Sequence, residues 1–226
     1  MTDTVVLLAA LQHGDSFFPG GATAFSWGLE TLSAEGEVTS VGDVERFVEG
    51  QLAHRWVPAD RPALVAAHAA AGDLQQVAVV DRLVEALALS RELREGSRRS
   101  GLALLAVHER LGSAEATAYR RLVRAGRCPG HLAVIQGLLW GALGFSEREA
   151  GAVSAHLFCI GLLGAALRLG LIGHLDAQTA ITRLRPFLAA LLEIPASPVQ
   201  RMGAFAPAAE IAAMRHETMT ARLFAN

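Results

Sequence analysis

CPGHLAVIQGLLWGALGFS (residues 128–146) and AGAVSAHLFCIGLLGAAL (residues 150–167) decide the fold, because neither stretch carries a formal charge over about eighteen residues. A stretch of that length and composition either crosses a membrane or lies buried on all sides in a globular protein. Both contain small residues, such as Gly137 and Gly161, that let helices approach closely, and both contain polar groups. We therefore predict two central helices in a helical bundle.

The segment between these stretches, SEREA (residues 146–150), supports a bundle in water. Ser146 and Glu149 have the spacing of a capping box, in which each side chain hydrogen-bonds the backbone of the other residue at a helix start. A small membrane-associated helical protein remains the alternative, and solubility of the purified chain without detergent would exclude it.

The rest of the sequence has the apolar period of amphipathic helices. SVGDVERFVEGQLAHRW (residues 40–56) opens with Ser40 and Asp43, another capping-box-like pair, and DRPALVAAHAAA (residues 60–71) starts with Asp60 as a predicted cap. Alternating strand-like runs with hairpin turns are missing. We predict an all-α, single-domain bundle of roughly nine or ten helices over residues 1–226, with the uncharged pair at its centre.

Composition excludes several classes of function. The net charge is −2, so no basic surface indicates nucleic acid. All 20 basic residues are arginine, which excludes mechanisms that need a lysine, such as P-loop nucleotide hydrolysis and Schiff-base chemistry. Cys128 and Cys159 lie far apart and suit a reducing compartment. The N-terminus lacks the basic region of a signal peptide and carries Asp3, so we expect a cytoplasmic protein.

No local motif predicts catalysis or a metal site. Gly-Asp-Ser at residues 14–16 resembles the nucleophile block of GDSL-type esterases, but no aspartate is followed three residues later by the histidine that this chemistry needs. No two of the eight histidines are three or four residues apart. Cys128 and His131 have ligand-like spacing, but a buried cysteine at a helix start accounts for it more often. We predict no catalytic residue, no metal ligand and no cofactor.

One enzymatic alternative stays open. A site assembled from distant helices cannot be seen in a sequence, and residues such as His156 and Cys159 could contribute to one.

The chain ends in FAPAAEIAAMRHETMTARLFAN (residues 205–226), which is apolar for a terminal tail. A helix from Ala208 onward would have an apolar stripe between an acidic and a basic edge, and such a stripe suits docking in one orientation. The stripe comprises Ile211, Met214, Thr218 and Ala221, the acidic edge Glu210 and Glu217, and the basic edge Arg215 and Arg222.

Two destinations are open for this segment. Most terminal helices pack on their own bundle, which is the alternative for Ile211 and Met214. Leu223 and Phe224 lie beyond the predicted helix, where a partner surface is at least as plausible. His216 projects from the opposite side of the helix, so we expect it to face the protein's own bundle.

Four blocks of the sequence resemble one family. FAPAAEIAAMRHETMTARLF (205–224) closely resembles the C-terminal signature of the urease accessory protein F family, S-F-A-P-x-L-E-I-A-S-M-R-H-E-x-x-Y-S-R-L-F. LQHGDSFFPGGATAFSWGLE (11–30) resembles that family's opening block, while SRELREGSRRSGLALL (90–105) and LRLGLIGHLDAQ (167–178) resemble two internal blocks in the same order. The chain departs from the family where HGDSFF replaces a serine–proline pair and at Met219, where an aromatic residue is frequent.

The resemblance implies an all-helical, cytosolic, dimeric protein without catalysis of its own. Such a protein binds urease accessory protein D, also called H, and with it recruits the GTPase accessory protein G, so that nickel reaches the apo-urease. It implies no nucleic-acid or membrane partner. Residues 208–226 would then be a partner-binding helix and tail, ordered mainly when bound. The predicted partner-binding residues are Glu30, Glu210, Met214, Arg215, Glu217, Arg222, Leu223 and Phe224.

Overall fold

The computed structural model describes residues 3–20, 25–220 and 222–224. Over these ranges it has eleven α-helices, one π-helix, one short 3-10 helix and no strand. The predicted all-α bundle is therefore confirmed, with slightly more helices than expected. In chain order the helices are α1 (Thr4–Gly14), α2 (Leu29–Ala34), α3 (Val41–Gln51), the π-helix (Leu52–Asp60), α4 (Arg61–Ala69), α5 (Leu74–Leu87), α6 (Arg91–Arg110), α7 (Ala114–Arg124), α8 (Leu132–Ala142), α9 (Glu147–Arg168), α10 (His174–Glu193), the 3-10 helix (Val199–Arg201) and α11 (Pro207–His216).

Both predicted capping boxes are present. The Ser40 hydroxyl accepts a hydrogen bond from the Asp43 amide at 3.2 Å, and the Asp43 carboxylate accepts one from the Ser40 amide at 2.9 Å. Ser146 and Glu149 make the same reciprocal pair at the start of α9. These caps satisfy amides that have no partner within the helix, and they fix where α3 and α9 begin.

The predicted cap at Asp60 is wrong. The π-helix runs directly into α4, so Asp60 has helical backbone angles and its side chain caps no amide. The carboxylate instead faces Arg55, with 3.6 Å between Asp60 Oδ2 and Arg55 Nε. Burial raises the pKa of Asp60. A residue typical of caps therefore becomes a half-buried group next to a cation.

The first uncharged stretch forms α8, which is buried along most of its length. It packs so closely on α4 that a Cβ atom at Gly137 would collide with the Leu64 carbonyl oxygen. Glycine is therefore required where these two helices cross.

The second uncharged stretch lies within α9. Among the described helices only α9 is long and apolar enough to span a membrane, and 56% of its most apolar 18-residue window is buried inside the protein. Apolar residues of α9 such as Leu162 and Leu163 join a core cluster with α3, the π-helix and α10. A second cluster surrounds α4 and α8. The burial of α9 is that of a core helix.

The apolar run near the N-terminus is a helix and not a strand. It forms α1, and Ser16 of the Gly-Asp-Ser sequence lies in the turn after it. The esterase interpretation required a serine that follows a strand, so the structure removes its basis. α1 leaves several large apolar side chains exposed, namely Val5, Leu7, Leu8 and Leu11.

Candidate partner-binding site

The C-terminal segment forms a helix that is shorter than predicted. α11 covers Pro207–His216 and packs against α2 and α6. The chain then turns at residues 217–218, and residues 222–224 are not helical. The amides of Leu223 and Phe224 donate to the Glu30 carboxylate, so they are not available for helical hydrogen bonds. Ala221, the last member of the predicted stripe, lies outside the described residues.

Close approach between α2 and α11 depends on Gly28. This residue precedes α2 with a φ of +86°, a conformation that favours glycine. A Cβ atom there would lie 2.5 Å from the Ala209 carbonyl oxygen and 3.2 Å from the Ala212 Cβ. The Gly-Leu-Glu sequence at residues 28–30 therefore brings α2 against α11 and places Glu30 at their contact.

Glu30 connects the helix to the tail. Its side chain is buried, and its Oε2 lies 2.8 Å from Nε2 of His216. Its Oε1 accepts a hydrogen bond from the Leu223 amide at 2.6 Å, and Oε2 accepts one from the Phe224 amide at 3.1 Å. One carboxylate thus fixes both the end of α11 and the last described residues.

His216 lies between two carboxylates and has no exposed surface. Its Nδ1 is 3.2 Å from Oε2 of Glu92 on α6, while its Nε2 faces Glu30. Each ring nitrogen of His216 thus has its own carboxylate partner, one from α6 and one from α2. The prediction that His216 faces the protein's own bundle is confirmed.

Three ion pairs surround this buried centre. Arg91 Nη2 lies 2.6 Å from Oε2 of Glu217, and this contact lowers the pKa of Glu217. Two further pairs join Arg215 to Glu35 at 3.1 Å and Arg222 to Glu92 at 3.5 Å. Three of the four charged edge residues, Arg215, Glu217 and Arg222, therefore already have partners within this chain. Exposed pairs of this kind contribute little stability, so exchanging them for pairs with another protein costs little.

The apolar residues of this segment divide between the surface and the core. Ile211 and Met214 are 48% and 45% exposed, so neither is buried in the bundle. Phe224, expected in the open, is 6% exposed and packs into the core cluster around α9, with the Arg168 guanidinium 4.3 Å from its ring centre. Leu223 is exposed as expected.

The eight predicted partner-binding residues therefore divide into three groups by exposure. Met214, Arg215, Arg222 and Leu223 are exposed, while Glu210 and Glu217 are half-buried. Glu30 and Phe224 are buried and hold the tail from inside. Sequence reasoning missed Glu92 and Arg91, although both belong to the block at residues 90–105 that resembles the family.

The two other candidate sites from the sequence lack the features of an active site or a metal centre. His131 Nε2 lies 2.8 Å from Glu85 and its Nδ1 lies 3.1 Å from Ser97, so both nitrogens already have polar neighbours. Burial raises the pKa of Cys159 to about 12, which keeps it a thiol and a poor nucleophile. Over the described ranges, no three His, Cys, Asp or Glu residues are grouped as metal ligands would be.

A family model and individual related proteins all point to the same family. A family model described as UreF matches residues 38–185. A urease accessory protein UreF of Trichodesmium erythraeum is 32% identical over 97% of this chain and 96% of its own length. Proteins of the same name from Cereibacter sphaeroides and Kocuria rhizophila are each 34% identical over 96% of this chain, and the alignments cover 97% and 96% of their own lengths. These alignments extend the similarity over nearly the whole chain.

Proposed function

The chain belongs to the UreF family of urease accessory proteins, and on that premise we propose that it is a non-catalytic binding protein in urease maturation. In this role it bridges the D/H-type accessory protein and the GTPase accessory protein G. The resulting complex supports GTP-dependent insertion of nickel into apo-urease. The chain acts in the cytoplasm as a homodimer, and it neither hydrolyses GTP nor binds nickel tightly by itself.

The observation that carries this proposal is the outer face of α11. Ile211 and Met214 lie exposed one helical turn apart, with Arg215 next to them. The buried face of the same helix is fixed by His216 and Glu30. An exposed apolar face on a rigidly held helix loses little conformational entropy on binding, so it is suited to dock on the D/H-type protein.

The residues around this face would act in two ways. Met214, Arg215 and Leu223 contact the partner directly, together with Glu210, Glu217 and Arg222, whose charges select its orientation. Glu30 and Phe224 act by holding the tail in place, because both are buried.

A pull-down with the D/H-type protein, beside thermal unfolding of the same variants, tests this assignment. Met214→Asp puts a charge on the exposed face and should weaken binding by about tenfold or more with little change in melting temperature. Leu175→Asp, at a 79% exposed position on α10, is the matched control and should bind normally. Equal binding by both variants would contradict docking through α11.

Phe224→Ala separates the two roles. Since Phe224 packs into the core, this variant should lose both binding and stability, by about 3 kcal/mol in unfolding free energy. The predicted exposure of Leu223 and Phe224 beyond the helix implied that removing the residues after Thr218 would barely change the melting temperature. The buried position of Phe224 reverses that expectation.

A further inference from the structure

The chain segment that leads into α11 covers a cavity. We call residues 199–206 the strap. The Gly203 amide donates to the Pro58 carbonyl at 3.0 Å, and the Phe205 amide donates to the His54 carbonyl at 2.9 Å, so the strap is fixed to the π-helix. Beneath it lies a cavity of about 80 Å³. Its walls come from the strap, the π-helix, α4, α5, the loop between α5 and α6, α6, His131 and Glu210 of α11.

Two polar atoms in the cavity wall lack hydrogen-bond partners. Within the described part of the chain, neither Ser90 Oγ nor Arg55 Nε has one, and Ser90 is only 4% exposed. The nearest carboxylate to Arg55 Nε is Asp60, at 3.6 Å, which is too long for a hydrogen bond. The Arg55 guanidinium lies 4.2 Å from the Trp27 ring centre, and this contact holds it in place. Buried donors without partners are costly, so these atoms favour an acceptor inside the cavity.

The other wall groups determine which acceptor fits. Arg94 adds a second guanidinium, which donates to the Ala88 carbonyl at 3.0 Å and lies 3.6 Å from the Glu85 carboxylate, with nitrogens left to face a ligand. Two acids, Asp60 and Glu210, also line the cavity, and burial raises the pKa of Asp60, which weakens its competition with a bound anion. A water molecule needs about 10–15 Å³ of such volume, so the cavity has room for a ligand of several heavy atoms. Planar and tetrahedral oxyanions have this size and present oxygen on every side.

We propose that this cavity binds a small oxyanion through the guanidinium groups of Arg55 and Arg94 and the hydroxyl of Ser90. The ligand lies against the underside of the strap. Its binding therefore stabilises the strap on the π-helix and holds the start of α11 in position. The oxyanion is thus a ligand of this chain, in a site that is separate from the exposed face of α11.

Calorimetry and thermal unfolding of the full-length chain test the proposal. Sulfate, phosphate and bicarbonate are titrated in turn, with chloride at equal ionic strength as the reference. We expect at least one oxyanion to bind saturably and to raise the melting temperature more than chloride does. Equal effects of all four salts, or binding weaker than about 10 mM, would overturn the proposal.

Variants then locate the binding site. Arg55→Met should weaken oxyanion binding by about tenfold or more, because it removes a charged donor. Arg183→Met is the matched control, since Arg183 is exposed and pairs with Glu45 on the surface. If both variants lose affinity equally, the anion binds through general surface charge and the proposal is wrong.

If Arg55→Met does not fold, the proposal can still be tested with Ser90→Ala and with hydrogen exchange of the wild-type chain. Ser90→Ala removes a hydroxyl that has no partner among the described residues, so it should fold and still bind the oxyanion about threefold or more weakly. Hydrogen exchange at the Gly203 and Phe205 amides should slow when the oxyanion is added to the wild-type chain. Unchanged exchange at both amides would show that the anion does not lie beneath the strap.

Discussion

Glu30 shows how much of this structure depends on one side chain. Its carboxylate receives two backbone amides from the tail and faces the imidazole of His216. Glu35, at the end of the same helix, makes only an exposed pair with Arg215. The two glutamates are five residues apart, so they form a matched pair for testing what burial contributes.

We predict that Glu30→Gln lowers the free energy of unfolding by about 2–3 kcal/mol, because it leaves His216 without one of its two carboxylates. Glu35→Gln should lower it by less than about 1 kcal/mol, since exposed ion pairs contribute little. Urea unfolding of both variants measures the difference. Similar losses in the two variants would show that the buried carboxylate has no special role.

A buried pair of histidines makes stability depend on pH. His13 Nε2 and His108 Nε2 are 3.0 Å apart, and both side chains are buried. Burial, with a smaller contribution from His13, lowers the pKa of His108 to about 4. The unfolded chain has an imidazole pKa of about 6.5, so it binds protons that the folded protein does not. Stability is therefore lost as the pH falls from about 6.5 towards about 4.

Between about pH 6.5 and about pH 5 this effect amounts to about 2 kcal/mol for His108. His108→Gln keeps a donor near His13 but does not titrate, so its unfolding free energy should fall less steeply over this interval. His174→Gln, at an exposed position, should keep the wild-type slope. Denaturant unfolding at several pH values compares the three proteins. A wild-type slope in His108→Gln would contradict the assignment of this pH dependence to His108.

Helix contacts at the element scale depend on a few glycines. On α8, Gly137 meets the backbone of α4, and on α6 a Cβ atom at Gly101 would collide with the Gly130 carbonyl oxygen. A Cβ atom at Gly164 of α9, by contrast, would meet no atom of the described residues within 4 Å beyond its own helix backbone. Gly101 and Gly137 are therefore needed for close helix contacts, whereas Gly164 is not.

Gly137→Ala should destabilise the protein by about 1–3 kcal/mol, because α4 and α8 must separate to admit the methyl group. Gly164→Ala should stabilise it by up to about 1 kcal/mol, since alanine is the better helix former and has open space there. For a protein of this size these changes correspond to melting-temperature shifts of about 2–4 °C per kcal/mol. The melting temperature should fall in Gly137→Ala and rise in Gly164→Ala. A lower melting temperature in both variants would contradict the packing described.

The elements that could be predicted from the sequence are those whose signals are local. Ser40 with Asp43, and Ser146 with Glu149, lie three residues apart, and both capping boxes formed as expected. Asp60 is not a cap because residues 52–60 before α4 are themselves helical. No single residue in the sequence indicates that the helix continues there.

The candidate site was less predictable because its contacts are distant in sequence. Glu30 and His216 are separated by 186 residues, and Glu92 and His216 by 124. Helical periodicity correctly placed His216 towards the bundle. It could not show that Phe224 would turn back to the core, since that depends on Glu30 accepting the tail amides.

At the scale of the whole molecule, the chain has more apolar side chains than its own core buries. Hydrophobic residues make up 52% of the chain, and large apolar side chains such as Leu8, Leu11 and Phe17 are exposed. Exposed apolar surface of this kind is typical of proteins that associate.

We predict a homodimer with a largely apolar interface, observed by sedimentation at tens of micromolar. Since apolar contacts are not screened by salt, raising NaCl to about 0.5 M should not dissociate it. A dimer that dissociates in salt would indicate a charged interface. Sedimentation of a monomer alone, with and without the D/H-type protein, would contradict self-association.

The contact between Glu30 and the tail also determines when folding can finish. Glu30 lies 193 residues before Leu223, so during synthesis its carboxylate is made long before the amides that it binds. Folding of this region can be completed only after residue 224 has left the ribosome. A product that stops before residue 223 leaves a carboxylate without its amides inside the protein.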